Sequence, residues 1–157
     1  MSAWKSICCP VDFSAASASA MERAAEVARW TGASLTLLHV DEQPPVPTPD
    51  ATLVSRELLR RAEVEKERQL AAWREVAARL AGTPVDEVLA AGDPASEIVR
   101  IAGARAHDLV IMGTHGRTGR DRAPFGSVAQ KVILDAPCPV LVVRSGVPRE
   151  GGSRRGA

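Results

Sequence analysis

Tyrosine is absent, and aromatic residues make up 3% of the chain: Trp4, Phe13, Trp30, Trp73 and Phe125. Single-stranded nucleic acid is held by aromatic side chains interleaved with a basic groove. Here the aromatics are scattered and the net charge is only +1, so neither a stacking platform nor a phosphate-attracting field is expected. No apolar run approaches the ~18 residues of a membrane span. Met1 is followed by polar Ser2 rather than a basic segment with a small-residue cleavage site. No membrane partner and a cytoplasmic location are therefore expected. There are three cysteines, which fits a reducing compartment. Cys8 and Cys9 are adjacent and would point to opposite faces of a strand. Cys138 sits between Pro137 and Pro139. Paired metal-ligand spacing of the C-x2-C kind is missing, so the thiols read as small buried hydrophobes. Two common phosphate motifs are missing as well. Without G-x4-G-K-[ST] there is no P-loop lysine, and without G-x-G-x-x-G there is no dinucleotide fingerprint.

What the chain does have is one concentrated stretch, Asp108 to Val132, DLVIMGTHGRTGRDRAPFGSVAQKV. Leu109 to Met112 form a short apolar run, ended by Gly113. The loop that follows carries Arg117, Arg120 and Arg122 against one acid, Asp121. Gly126 and Ser127 then open a helical segment from Val128 to Leu134. Strand, glycine-punctuated loop and helix start build an anion site. The first N–H groups of a helix lack intrahelical partners and carry partial positive charge. Glycine permits close approach and positive φ. The stretch is read as a phosphate cradle.

The 157 residues are expected to form one domain, large enough for its own core. Ile7 to Val11 is apolar on both faces, as a central parallel strand should be, and Pro10 closes it. Asp12 follows at the strand's carboxyl end, open to two readings, a ligand contact or a helix-capping carboxylate. Ser14 caps a helix to Trp30, with Met21, Ala24, Ala25 and Ala28 on its inner face and Gly32 ending it. Leu35 to Val40 is the second strand, with His39 packed inside it. Residues 41–50 hold four prolines and form a linker or a lid. A helix from about Ala51 to Leu80 places Leu58, Ala62, Trp73, Ala77 and Leu80 on one face. At ~1.5 Å per residue it outruns the sheet, so its first turns are expected to be irregular or to project. Val85 to Ala90 suits an edge, because Asp86 and Glu87 lie in it. Asp93-Pro94 starts the third helix, with Ile98, Ile101 and Ala102 facing the sheet. Val140 to Val143 is the last strand. Residues 145–157, with four glycines and three arginines, read as a disordered tail.

The expected fold is a doubly wound α/β architecture, five parallel strands in the order 3-2-1-4-5 between two layers of helices. The strand order reverses between the first and fourth strands. Asp12 and the Gly113 loop then flank one crevice at the strands' carboxyl ends, where such sheets bind ligands.

The spacing Gly113, Gly116, Gly126-Ser127, or G-x2-G-x9-G-S, resembles that of the universal stress protein family in its ATP-binding branch. Pro10–Ser14 (PVDFS), Leu37–Val40 (LLHV) and Ala136–Arg144 (APCPVLVVR) resemble the same family in the same order, so residues 1–144 are expected to be one such domain. The resemblance implies ATP as ligand, with Mg²⁺ held through its phosphates. It implies that Pro10, Asp12 and the Val40 main chain meet the nucleoside, and that Met112 and Gly113 line the ribose. His115, Gly116, Arg117, Gly126, Ser127 and Val128 would meet the phosphates. It further implies a homodimer through Val140, Leu141, Val142 and Val143, a pairing that would also cover an apolar edge.

His115 is the one candidate general acid or base. No partnered nucleophile or carboxylate pair stands beside it in sequence. The expected function is a non-catalytic or weakly hydrolytic nucleotide-responsive module. A slow ATPase or phosphotransferase and a nucleotide-independent dimeric scaffold are the alternatives.

Overall fold

The computed structural model describes residues 4–42, 48–115 and 125–145. Strands β1 (Ser6–Pro10), β2 (Ser34–Asp41), β3 (Val85–Ala91), β4 (Leu109–Gly113) and β5 (Val140–Val143) alternate with helices α1 (Ala15–Thr31), α2 (Leu53–Ala81), α3 (Pro94–Ala104) and α4 (Ser127–Asp135). The strands form one sheet in the order β3-β2-β1-β4-β5, every pair parallel. The reversal falls between β1 and β4, in register Ile7 to Leu109 and Cys8 to Val110.

Central strands bury both faces. Ile7, Cys9, Leu35, Leu37 and Ile111 join a core with the alanines of α1 and with Leu70, Ala77 and Ala81 of α2. Cys8, Leu38, Val110 and Met112 point the other way, into a core closed by α3 and α4. The alternation of Cys8 and Cys9 between the two cores is the period-2 consequence of their adjacency. Burial pushes the Cys8 thiol up to about 12, with Cys138 adding to the rise, and pushes Cys9 further.

Local chemistry sets the helix ends. Ser14, Thr52 and Asp93 each accept a hydrogen bond from the backbone N–H three residues on, and Gly32 and Gly82 close α1 and α2 in the left-handed conformation. At the amino ends of the strands the Asp108 carboxylate accepts from the N–H groups of Lys5 and Ser6, at 2.9 and 3.1 Å. His107 is buried beside it, its Nδ1 2.8 Å from Ser6 Oγ, and its buried Nε2 finds no partner among the described residues.

The helix α2 takes one of the two forms expected for its start and departs from expectation in its inner face. It is regular from Leu53 onward, so its early turns project as helix and are not irregular. Leu58, Ala62 and Leu80 are exposed, whereas the buried set is Leu70, Ala77 and Ala81, with Trp73 partly covered. The sheet reaches only the carboxyl-terminal half of α2, so only that half has an inner face. Of the five positions named from periodicity, Leu58, Ala62 and Leu80 belong to an exposed apolar stripe, and Trp73 and Ala77 face the core. The tail beyond 145, and residues 43–47 of the proline-rich loop, lie outside the described residues.

Candidate functional site

The carboxyl ends of β1 and β4 lie side by side at the reversal of strand order, the place where such sheets form a ligand crevice. On the β1 side, Val11 N–H donates to the Leu38 carbonyl at 2.8 Å and Asp12 begins the turn into α1. Asp12 Oδ1 accepts from Ser14 N–H at 3.0 Å, and Asp12 N–H donates to Ser17 Oγ at 3.2 Å. The carboxylate is thus fixed by the start of α1. A capping contact and a ligand contact are compatible, since a carboxylate has about four acceptor positions. Between Asp12 and Ser14, Phe13 adopts φ 64, a conformation a bulky residue holds only when its surroundings impose it. Its ring lies tilted by 38° against His39, centroids 4.6 Å apart, and meets Trp73 edge-on at 5.3 Å. His39 Nδ1–H donates to the Val11 carbonyl at 2.8 Å, which fixes the tautomer and ties β2 to the same turn. The expectation of a packed strand histidine holds. Pro10 is buried in β1, and Val40 is half-buried, in register with Ala90 of β3. Next to Val40, the Asp41 main-chain carbonyl accepts from Gly92 N–H at 2.9 Å, and its carboxylate forms an ion pair with Lys66 of α2.

On the β4 side, Met112 is buried and Gly113 ends the strand opposite Val143. A Cβ at Gly113 would lie 3.1 Å from the carbonyl carbon and oxygen of Ala16. Glycine is required there by the closeness of α1's first turn. Gly126 is required in the same way: its Cβ would stand 3.2 Å from the Thr114 carbonyl oxygen. Its φ of −70 is ordinary, so the anticipated use of positive φ does not apply to it. Gly126 N–H donates to that same oxygen at 2.7 Å. This bond pins the start of α4 against the end of β4, and it corrects one detail, because the Gly126 N–H is already engaged. The donors remaining at this end are the first-turn N–H groups, starting with Ser127 and Val128. The first three helices carry side-chain caps; α4 begins without a side-chain cap hydrogen bond.

His115 lies between the two glycine contacts, its Nδ1 3.2 Å from Thr114 Oγ1. Gly116, Arg117, Arg120 and Arg122 lie outside the described residues. Among the described residues no three His, Cys, Asp or Glu side chains gather as a metal site. Two contributors escaped the sequence reading. Ser17 anchors the Asp12 backbone, and Thr114 is buried and anchors Gly126. A Ser three residues after Ser14 was the available signal for Ser17; nothing local marks Thr114.

The model of the universal stress protein family matches residues 3–144. The chain belongs to this family. Among universal stress proteins, one from Methanocaldococcus jannaschii is 38% identical over 144 residues, covering 90% of this chain and 82% of the relative. YxiE of Bacillus subtilis is 34% identical over 141 residues, covering 85% and 95%. The solved structure of UspA from Lactobacillus plantarum superposes with a TM-score of 0.78 at 27% identity, covering 90% of this chain and 98% of that one. Two more distant universal stress proteins share the fold. One, in complex with cAMP, has a TM-score of 0.67 at 22% identity and covers 92% and 100%. The other, from Archaeoglobus fulgidus in complex with dAMP, has a TM-score of 0.61 at 23% identity and covers 90% and 98%. Among the described residues no helix is long and apolar enough to cross a membrane.

Proposed function

We propose that this universal stress protein binds ATP in the crevice between β1 and β4 and acts as a nucleotide-responsive module with little or no hydrolysis. The observation that carries this reading is the start of α4. It has no side-chain cap hydrogen bond, and the Gly126–Thr114 bond holds it at the carboxyl end of β4, across the strand reversal from Asp12. Adenine nucleotides bound to two distant proteins of the same fold support the ligand class. Asp12 and the Val40 main chain would meet the nucleoside, and Met112 and Gly113 the ribose. Ser127 and Val128 would give N–H groups, and Ser127 its hydroxyl, to the phosphates, joined by His115, Gly116 and Arg117. Mg²⁺ would be carried in by the phosphates, since the described residues offer no cluster to hold it alone. The helix terminus contributes only ~0.3–2 kcal/mol to a bound charge. Millimolar to nanomolar affinity spans ~8 kcal/mol. Adenine burial and several N–H bonds must supply the difference. The chain further pairs as a homodimer along the β5 edge. A Val142→Asp variant is expected to lose this pairing, with the mass measured by light scattering falling by about half.

Ser127 allows a specific test. It is the first residue of α4, where proline is tolerated, and Gly126 before it is extended at ψ 167, as a residue preceding proline must be. Ser127→Pro therefore removes one N–H and the hydroxyl while leaving the helix intact. Calorimetric titration with ATP, with and without Mg²⁺, should show at least a tenfold loss relative to wild type and a smaller loss for Ser127→Ala. Nucleotide analysis of the cell should recover intact ATP. Wild-type affinity in a folded Ser127→Pro protein removes the phosphate assignment, and steady release of ADP replaces the module by an ATPase.

A further inference from the structure

The projecting helix α2 carries a pattern that the nucleotide crevice does not use. At 100° per residue, eight of its residues fall within a sector of about 80°: Val54, Leu58, Ala62 and Glu65, then Gln69, Ala72, Val76 and Leu80. All eight are exposed. Val54 and Leu58 are 70% and 61% accessible, and Val76 and Leu80 are 37% and 41%. Beyond the far end of the stripe, Trp30 of α1 stands exposed beside Leu80. A stripe of this length on a solvated helix is unusual, because single exposed apolar residues are ordinary but aligned ones mark a contact.

The order of the eight residues reads the same in size and polarity from either end. It runs large, large, small, polar and then polar, small, large, large, with its centre at Glu67. A helix laid antiparallel on a second copy of itself about that centre sets Val54 against Leu80, Leu58 against Val76, Ala62 against Ala72 and Glu65 against Gln69. Each pair then occurs twice across the two-fold axis, as an isologous interface requires.

The charges along one flank of the stripe agree with the same register. Glu57, Arg61, Arg68, Glu75 and Arg79 lie on one side of it. About the same two-fold, Glu57 of one copy comes beside Arg79 of the other, and Arg61 beside Glu75. Arg68 comes beside its own copy, and its charge is already met by Glu65, which takes Nε at 3.1 Å and Nη2 at 3.2 Å. We infer that α2 is a self-association surface, on which a second copy of this chain packs antiparallel along the stripe from Val54 to Leu80. This surface is separate from the β5 edge and from the crevice, and it holds whether or not the chain binds ATP. It also accounts for the length of α2: the half that leaves the sheet, Leu53 to Gln69, is the half that lies on the partner's sheet-bound half.

A charge exchange tests it. Arg61 and Glu75 are fourteen positions apart, ~21 Å along one helix, so they cannot pair within a chain. Association is followed by sedimentation against concentration in a Val142→Asp background, with crevice and fold monitored by ATP titration and circular dichroism. Val142→Asp protein should still dimerise, and Leu58→Glu should abolish the dimer. Arg61→Glu should weaken it about tenfold, two like-charge contacts replacing two pairs. The double exchange Arg61→Glu with Glu75→Arg should return it to within about twofold of the parent. As a check free of the β5 edge, Leu58→Cys with Val76→Cys in otherwise wild-type protein should give a covalent dimer on mild oxidation. Val64→Cys, on another side of α2, should not. A parent that stays monomeric, a double exchange no better than Arg61→Glu alone, or equal cross-linking at Val64 would each overturn the inference.

Discussion

Gly113 and Gly103 offer the same chemical change with opposite expected outcomes. At Gly113 an alanine methyl would stand 3.1 Å from two main-chain atoms of Ala16 and 3.2 Å from its Cβ. Favourable carbon contacts begin near 3.5 Å, so β4 and the first turn of α1 must separate by several tenths of an ångström. Neither is free to move. β4 is held between β1 and β5, and the α1 start is tied by the Ser14, Ser17 and Asp12 bonds. Overpacking of this kind costs about 1–3 kcal/mol. Alanine's smaller unfolded-state entropy returns about 0.4–1 kcal/mol. The expected net destabilisation for Gly113→Ala is therefore about 1–2 kcal/mol. At Gly103, near the end of α3, the nearest atom to the new methyl is Pro137 Cγ at 3.8 Å, an ordinary contact. Gly103→Ala keeps only the entropy and helix-propensity gain, about 0.5 kcal/mol of added stability. Urea unfolding followed by far-ultraviolet circular dichroism resolves both, provided the slopes stay equal and the shift lies in the midpoint. Gly113→Ala equal to or more stable than wild type would refute the claim that a close approach, and not chain flexibility, demands glycine at the end of β4. Because the same residue lines one wall of the crevice, ATP affinity should fall in Gly113→Ala and remain unchanged in Gly103→Ala.

Thiol labelling of the native chain should modify Cys138 alone, since Cys8 and Cys9 are fully buried and their thiols are pushed up by burial; denaturant should release all three. Labelling of Cys8 or Cys9 under native conditions would show that the sheet opens. His107 is held below its ordinary value, first by burial and then by Arg105, with Asp108 opposing. The unfolded chain therefore takes up its proton first, so stability should be full above about pH 6.5 and decline as pH falls below it. A His107→Gln variant should lose that part of the pH dependence, and an unaltered profile would refute the assignment. Asp93 is held at about 2, first by the Ser96 hydroxyl, then by the Ser96 N–H and Lys131. Its contribution should be present above about pH 4 and lost between there and about pH 2, a step absent from Asp93→Asn. Ser14→Ala should cost about 1 kcal/mol as a lost cap, and more if the Asp12 turn loosens with it.

The fold was legible because its determinants are local and periodic. Pro10 after an apolar run, Ser14 ahead of an alanine face, Gly32 behind it and Asp93-Pro94 each specify an element boundary within a few residues. The strand order followed from right-handed crossovers plus one reversal. The inner face of α2 was illegible because it depends on where the sheet stops, and no residue within α2 encodes that. The same limit applied at the site. That Gly126 is needed for its closeness to Thr114, and that its N–H is engaged there, depends on how closely the ends of β4 and α4 approach in the fold. A spacing such as G-x2-G-x9-G-S carries the permission for close approach but not the identity of what approaches. The distinction matters for function. If Gly126 gave its N–H to a phosphate, α4 would have to release β4 on binding. With the Thr114 bond kept, the proposed cradle would be built before the ligand arrives, and nucleotide would need to meet only Ser127 and Val128 at this end of α4. A response to nucleotide would then arise at the Asp12 turn, where Phe13 already holds a strained backbone, while the sheet and α4 stay as they are.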